Sequence, residues 1–195
     1  MKNNEYTGAM KDDASPKVRS SVWELVRFAA IVLLIVIPVR IFIAKPFIVS
    51  GASMYPTFED KEYLIVDELS YLLRQPERGE VIVFKYPKDP SKYFIKRIIG
   101  LPGETVTVKN NSVAITKADG STEKLGEPYI SKDYFADTQF TLGPDDYFVM
   151  GDNRQVSSDS RAWGAVPKNL ITGRALVRLF PFDRVGVLPG DYPTN

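Results

Sequence analysis

The chain has 195 residues, 44% of them hydrophobic, and a net charge of +1, which suits one domain with a sizeable core and argues against a nucleic-acid partner. It contains no cysteine and no histidine. These absences exclude a thiol nucleophile, disulfides, thiolate or histidine metal sites and a Ser-His-Asp triad, so a hydrolase of this composition must take its base from Lys, Asp, Glu or Tyr.

The N-terminal part combines a polar segment with an apolar one. Residues 1–21 are predicted to be a disordered tail. Residues 28–39 carry no charge, and the apolar pattern continues past Arg40 as far as Ala44. With Arg40 reaching the lipid headgroups, 22–45 is predicted to be a transmembrane anchor. The alternatives are a soluble core helix and a cleaved signal peptide, which is disfavoured because the leader is long and contains acidic residues.

The charges around the apolar segment predict its orientation. Lys17, Arg19 and Arg27 precede it, which places the N-terminus in the cytoplasm by the positive-inside rule. Residues 46–195 then form an extracytoplasmic domain of a single-pass protein of the cell membrane.

The remainder of the chain is predicted to be mostly β. Short segments rich in Val, Ile, Tyr and Phe alternate with turn residues, and Asn110-Asn111 closes a predicted hairpin. The polar segment 118–144 is predicted to be an insertion or a long loop. The predicted strands cover residues 63–66, 80–85, 93–99, 105–109, 113–116, 147–150 and 175–179.

The first chemical motif, Ser50-Gly51-Ala52-Ser53-Met54-Tyr55-Pro56-Thr57, directly follows the apolar segment. Its glycine and proline favour a bend that presents a serine Oγ and free backbone N–H groups, which form an oxyanion hole. The alternative is a polar loop that joins the anchor to the domain.

The second motif lies on a predicted strand, residues 93–103. Strand alternation places Phe94, Lys96 and Ile98 on one face. Burial there lowers the pKa of a lysine by up to ~3–5 units, and a neutral amine can take a proton from a serine. Arg97 faces the other way and stays protonated. The alternative is a solvent-exposed lysine at a sheet edge.

The third motif runs from Gly151 to Arg161 and combines acids, arginines and serines. This composition favours a loop bonded to itself, from which a serine hydroxyl orients a buried amine. A solvated turn with local ion pairs is the alternative.

In this order the motifs resemble the bacterial type I signal peptidases, or leader peptidases. The resemblance covers residues 22–180 and rests on Ser-Met-x-Pro-Thr, Lys-Arg-x-x-Gly-x-Pro-Gly and Gly-Asp-Asn-Arg, with 78–84, 163–167 and 173–175 continuing it. It implies a Ser–Lys dyad with Ser53 as nucleophile and Lys96 as general base. Ser157 is expected to orient the lysine. The expected supporting residues are Asp152, Arg154, Asp159 and Arg161.

The family's fold is a catalytic domain of antiparallel sheets. The resemblance therefore implies a membrane-bound serine endopeptidase that cleaves signal peptides from exported preproteins after Ala-X-Ala, with the phospholipid membrane as a further partner and no metal or organic cofactor. The Ser53 N–H is expected to donate to the oxyanion, but Gly51 stands where some relatives carry a serine donor. Substrate is expected to pair with 49–51 and 94–96. The expected pocket walls are Phe47, Val49, Met54, Phe94 and Ile95.

Two other functions fit some of these observations. A self-cleaving repressor-type protease shares the chemistry, but its DNA-binding domain would stand where this chain has the apolar segment. A membrane-tethered β domain that only binds would make the Ser53–Lys96 pairing a coincidence.

Overall fold

The structure, a computed structural model, describes residues 17–42, 44–130, 134 and 136–192, with side chains for 22–34, 45–130, 134 and 136–192. The chain divides into two compact units, Met1–Val39 and Arg40–Asn195. The predicted tail lies outside the described residues as far as residue 16.

A helix occupies most of the predicted anchor. Helix α1 is Lys17–Phe42, so it begins inside the predicted tail. In the part of the chain that the structure describes, no helix combines the length and the apolar character that a membrane span requires. The prediction that the anchor extends to residue 45 is wrong at its end, because strand β1, Ala44–Ile48, pairs there with β2, Tyr63–Asp67.

Two antiparallel sheets form the second unit, as the β prediction expected. The larger sheet has eight strands among the described residues, in the order β1-β2-β11-β3-β4-β9-β10 with β12 paired to β11. Its further members are β3 (Val81–Tyr86), β4 (Asp89–Gly100), β9 (Asp146–Met150), β10 (Val166–Pro167), β11 (Ile171–Phe180) and β12 (Gly186–Val187).

The smaller sheet has the order β7-β6-β5-β8. Its strands are β5 (Thr105–Lys109), β6 (Ser112–Thr116), β7 (Thr122–Lys124) and β8 (Asp137–Thr141). Asn110 and Asn111 both have positive φ and close the predicted hairpin, because asparagine tolerates the left-handed conformation that a tight hairpin requires. The segment 118–144, predicted to be an insertion or a long loop, contains β7 and β8, which pair with β6 and β5, so it is not one long loop.

Clusters of buried apolar side chains hold the two sheets together and fix the segment that follows β1. Alternate residues of β5 and β6 are buried and pack against Ile99, Phe148 and Met150 of the larger sheet. A second cluster seats the segment after β1 on the larger sheet through Met54 and Phe58. Short helices α2 (Ser70–Leu73) and α3 (Ser160–Trp163) and two 3₁₀ turns, Lys168–Leu170 and Phe182–Arg184, connect the strands.

Candidate active site

The serine of the first motif lies in a loop that is anchored on both sides. Met54 and Phe58 are fully buried, and the Phe58 N–H donates to the Met54 carbonyl at 2.9 Å. Gly51 has φ +87°, and its N–H donates to Asp60 Oδ1 at 2.8 Å. These contacts leave Ser53 half-buried at the surface of the larger sheet.

The lysine of strand β4 reaches this serine. Lys96 Nζ lies 2.8 Å from Ser53 Oγ and 2.9 Å from the Ile95 carbonyl oxygen. The lysine is only 4% exposed and lies over the Phe94 ring. Burial lowers the pKa of Lys96 to about 8, although the negative charges of Asp159 and Asp152 oppose this shift. A substantial fraction of this amine is therefore neutral just above neutral pH.

The next residue along β4 points to the opposite face, as alternation predicts. Arg97 is fully buried and donates from Nε and Nη2 to the two carboxylate oxygens of Asp152, at 2.9 and 2.6 Å. Thr57 Oγ1 donates to the same carboxylate at 2.6 Å. Asp152 therefore joins the base strand to the end of the nucleophile loop. The sequence did not indicate Arg97 and Thr57 as supporting residues. The adjacent charges of Lys96 and Arg97 inside a strand were the available signal, because alternation buries at least one of them, and a buried charge needs a partner.

The third motif forms a loop bonded to itself around a buried carboxylate. Arg161 Nε and Nη2 donate to the two oxygens of Asp159 at 2.8 and 2.9 Å. Asp159 Oδ2 also accepts from the Gly151 N–H at 3.0 Å. Arg154 donates from Nε to the Gly151 carbonyl at 2.9 Å, while its guanidinium pairs with Glu127. The four predicted supports thus all lie in buried or half-buried ion pairs.

Ser157, the expected orienting hydroxyl, makes no hydrogen bond with Lys96. Its Oγ is buried and has no partner in the described part of the chain. It lies close to Gly151, where an added Cβ would overlap both Ser157 Oγ and the Ser53 carbonyl oxygen. The glycine therefore allows the third motif to pass directly behind the nucleophile. The backbone oxygen of Ile95 is the acceptor that holds the amine instead.

Sequence reasoning also missed a contact from Asn153. Its N–H donates to the Ser53 carbonyl at 3.0 Å, and its Nδ2 donates to the Ala52 carbonyl at 3.1 Å. The Gly-Asp-Asn-Arg motif contains this residue, but nothing in its pattern indicates which loop it contacts.

A cleft of about 510 Å³ opens beside the dyad. Four of the five predicted pocket residues line it: Phe47, Val49, Phe94 and Ile95. Met54 does not, because its side chain is 1% exposed and points into the core. The predicted pairing edges, 49–51 and 94–96, both border the cleft. Further lining residues that the sequence did not indicate are Ile48, Leu64, Val83, Lys92, Tyr93, Val156 and Ser158.

A serine hydroxyl held against a buried, partly neutral lysine beside an open cleft is the arrangement of a Ser–Lys hydrolase. The family described as "Signal peptidase, peptidase S26" matches residues 22–180. The probable signal peptidase I-2 of Synechocystis sp. is 38% identical over 98% of this chain and 88% of its own length. The signal peptidase I of Pseudomonas aeruginosa is 33% identical over 80% of this chain and 76% of its own length.

A solved structure of signal peptidase I from Enterococcus faecalis aligns with 52% of this chain and 97% of its own, at 31% identity and a TM-score of 0.45. From the family match and the identities to its relatives, the chain belongs to the signal peptidase family, peptidase S26. The predicted resemblance is confirmed, and with it the predicted class of enzyme, a serine endopeptidase of the type I signal peptidases.

Proposed function

We propose that this chain removes N-terminal signal peptides from exported preproteins, cutting after small residues of the Ala-X-Ala type. The observation that carries the proposal is the 2.8 Å contact between Ser53 Oγ and the buried Lys96 Nζ. Membership of the family supports the substrate class, since the relatives at 31–38% identity are named signal peptidases. The chemistry needs no group beyond those of the chain and water.

The reaction is an acyl transfer in two halves. Neutral Lys96 takes the Ser53 proton while Oγ bonds to the scissile carbonyl carbon, whose oxygen becomes an oxyanion beside the Ser53 N–H. The oxyanion collapses, the C–N bond breaks and the leaving amine takes the proton from Lys96. Lys96 then takes a proton from water, which attacks the ester, and Ser53 recovers its proton as the acyl group leaves.

Substrate binding as an added strand follows from an unpaired edge. Strand β4 pairs with β3 along one edge, but along the other it pairs with β9 only from Arg97 to Gly100. Within the described chain, residues 93–96 therefore present a free strand edge at the cleft. An extended peptide that pairs there passes directly by Lys96 and Ser53, and its alternate side chains enter the cleft.

We extend the proposal to the anchor and its orientation, with the part of α1 from Val22 to Phe42 in the membrane, the N-terminus cytoplasmic and the catalytic domain outside. The large apolar side chains of α1 from Val22 to Leu34 are exposed, Leu34 at 75% and Trp23 at 69%. An apolar surface of this kind is stabilised by burial in lipid. The positive charges before the apolar segment support the orientation.

Ser53→Ala should abolish cleavage of a purified preprotein that carries an Ala-X-Ala site, because no other described hydroxyl bonds to Lys96 Nζ. The assay uses the full chain in detergent, with product identified by mass spectrometry. Ser121→Ala is the matched control, since that hydroxyl bonds to Asp119 in an exposed turn of the smaller sheet. Ser121→Ala should cleave like the wild type. Cleavage by Ser53→Ala at a comparable rate would refute the assignment of the nucleophile.

The cleavage rate should depend on pH through Lys96. The neutral amine is the active form, so kcat/KM should rise about tenfold per pH unit below the pKa and level off above about pH 8. The measurement is kcat/KM for a fluorogenic peptide from about pH 6 to about pH 10, with circular dichroism to confirm folding at each pH. A value of kcat/KM that still rises about tenfold per unit up to about pH 10, as a lysine with the ordinary pKa of 10.5 requires, would contradict the lowered pKa.

A further inference from the structure

The peptide group between Ala52 and Ser53 has one end bonded and the other open. Its carbonyl oxygen accepts from Asn153 Nδ2 at 3.1 Å and from the Tyr55 N–H at 3.3 Å. Its N–H, the expected oxyanion donor, makes no hydrogen bond within the described residues. The protein therefore holds the Ala52 carbonyl oxygen and leaves the Ser53 N–H available to the substrate.

Holding the carbonyl fixes the direction of the N–H. The peptide is trans, since the cis bonds of the described chain are Tyr55-Pro56 and Phe180-Pro181. In a planar trans peptide the C=O and N–H point in opposite directions, so a donor on the oxygen determines where the N–H points. A hydrogen bond to the carbonyl also polarises the group and makes its N–H a stronger donor.

Asn153 is itself rigidly placed. Its own N–H donates to the Ser53 carbonyl at 3.0 Å, so the residue grips two successive carbonyls of the nucleophile loop. Its neighbours on either side are fixed by buried ion pairs, Asp152 with Arg97 and Arg154 with Glu127. The backbone that carries the Asn153 side chain is therefore held in place, and a residue that positions a reacting atom needs such support.

The contact between Asn153 and the Ala52 carbonyl is more important because residue 51, two places before Ser53, is a glycine. Gly51 carries no side chain that can donate to the oxyanion, and nothing lies within 4 Å of where its Cβ would be. The correctly directed Ser53 N–H then supplies a larger share of the stabilisation of the tetrahedral intermediate.

We propose that Asn153 is a positioning residue of the oxyanion hole: its side-chain amide orients and polarises the Ala52–Ser53 peptide, so that the Ser53 N–H meets the developing oxyanion. This inference rests on the proposed function. It assigns Asn153 a role in the transition state alone, because the oxyanion does not exist in the bound substrate.

Asn153→Ala should lower kcat by about tenfold to a hundredfold with KM unchanged, a loss smaller than that of an oxyanion donor itself. Asn153→Asp keeps the shape but cannot donate when ionised, so its loss should be at least as large. A peptide aldehyde, which adds Ser53 Oγ–H across its carbonyl, should lose affinity by the same factor as kcat. A substrate peptide should bind Ser53→Ala and Ser53→Ala/Asn153→Ala equally well.

Asn169→Ala, a change of an exposed asparagine outside the cleft, serves as the control and should leave both constants as in the wild type. Thermal unfolding checks that each variant is folded. An increase in KM at constant kcat, or aldehyde affinity that Asn153→Ala leaves unchanged, would overturn the inference. If the wild type itself fails to cleave, the proposed function is at fault rather than the role of Asn153.

Discussion

Replacing Lys96 with methionine should lower kcat/KM for preprotein cleavage by about a hundredfold to ten-thousandfold, the range that a general base contributes. Lys96 Nζ is the group placed to take the Ser53 proton, and the nearby carboxylates of Asp152 and Asp159 are bonded to Arg97 and Arg161. An unbranched thioether fills the space of the lysine stem without offering a base. Lys96→Arg should be equally inactive, because a guanidinium stays protonated.

The same substitution should not weaken the fold. The pKa of Lys96 is about 8 in the folded chain and 10.5 as an ordinary lysine. Between these pH values the unfolded chain binds more protons, so the free energy of unfolding rises with pH across this window, and at pH 7 burial of the charged amine opposes folding. Lys96→Met removes this cost and should be at least as stable as the wild type at pH 7.

Urea unfolding of both proteins in detergent, at about pH 7 and about pH 9.5, tests this pair of expectations. The stability advantage of Lys96→Met should shrink at the higher pH. If Lys96→Met is folded and cleaves at the wild-type rate, Lys96 is not the base. A variant that is inactive because it is unfolded would instead contradict the stability argument.

The resemblance of the motifs to the signal peptidases predicts the Ser53–Lys96 dyad, and strand alternation predicts the face of the strand on which the lysine lies. The alternation of β4 places Phe94 and Lys96 on one face and Arg97 on the other, and the structure has this arrangement. The strands with Val and Ile at alternate positions were predicted for the same reason, since a pleated strand buries one face. The alternation of side chains along a strand depends only on neighbouring residues, so it can be recognised in a single sequence.

The missed strands lack this signal. In β8, Phe140 is the only large apolar residue, and β7 is entirely exposed. These strands form because β5 and β6 present unpaired backbone groups to them, which is a property of the sheet and not of the segments. The first two residues of β1, Ala44 and Lys45, fall within the predicted anchor because the apolar pattern of α1 continues as far as Ala44.

The parts of the site that could not be predicted depend on long-range contacts. Met54 adjoins the nucleophile, yet its side chain packs into the core and not the cleft, and composition does not distinguish these directions. The partner of Arg154 is Glu127, in a segment that looked irregular. Asn153 is important through the carbonyls that it reaches, and a sequence does not show which carbonyls a loop approaches.

Arg97→Met should destabilise the fold by about 3–5 kcal/mol, the cost of leaving a buried carboxylate without its ionic partner. The side chains of Arg97 and Asp152 are both 0% exposed and share two hydrogen bonds. After the change, Asp152 keeps one neutral donor, Thr57 Oγ1. Urea unfolding of the full chain in detergent measures the loss. Lys117→Met is the matched control: its pair with Glu123 is about half exposed, and an exposed pair contributes about 0–1 kcal/mol.

The two halves of this buried pair should not cost the same to remove. Asp152→Asn leaves the guanidinium with the carbonyls of Gly79 and Gly190 as acceptors and with the Tyr129 ring 4.1 Å from Cζ. Its loss should therefore be smaller than that of Arg97→Met, and the double variant should lose less than the sum of the two single changes. Equal and additive losses would mean that the two residues stabilise the fold independently. The expected asymmetry would mean that the guanidinium keeps enough acceptors without Asp152, whereas the buried carboxylate depends on Arg97.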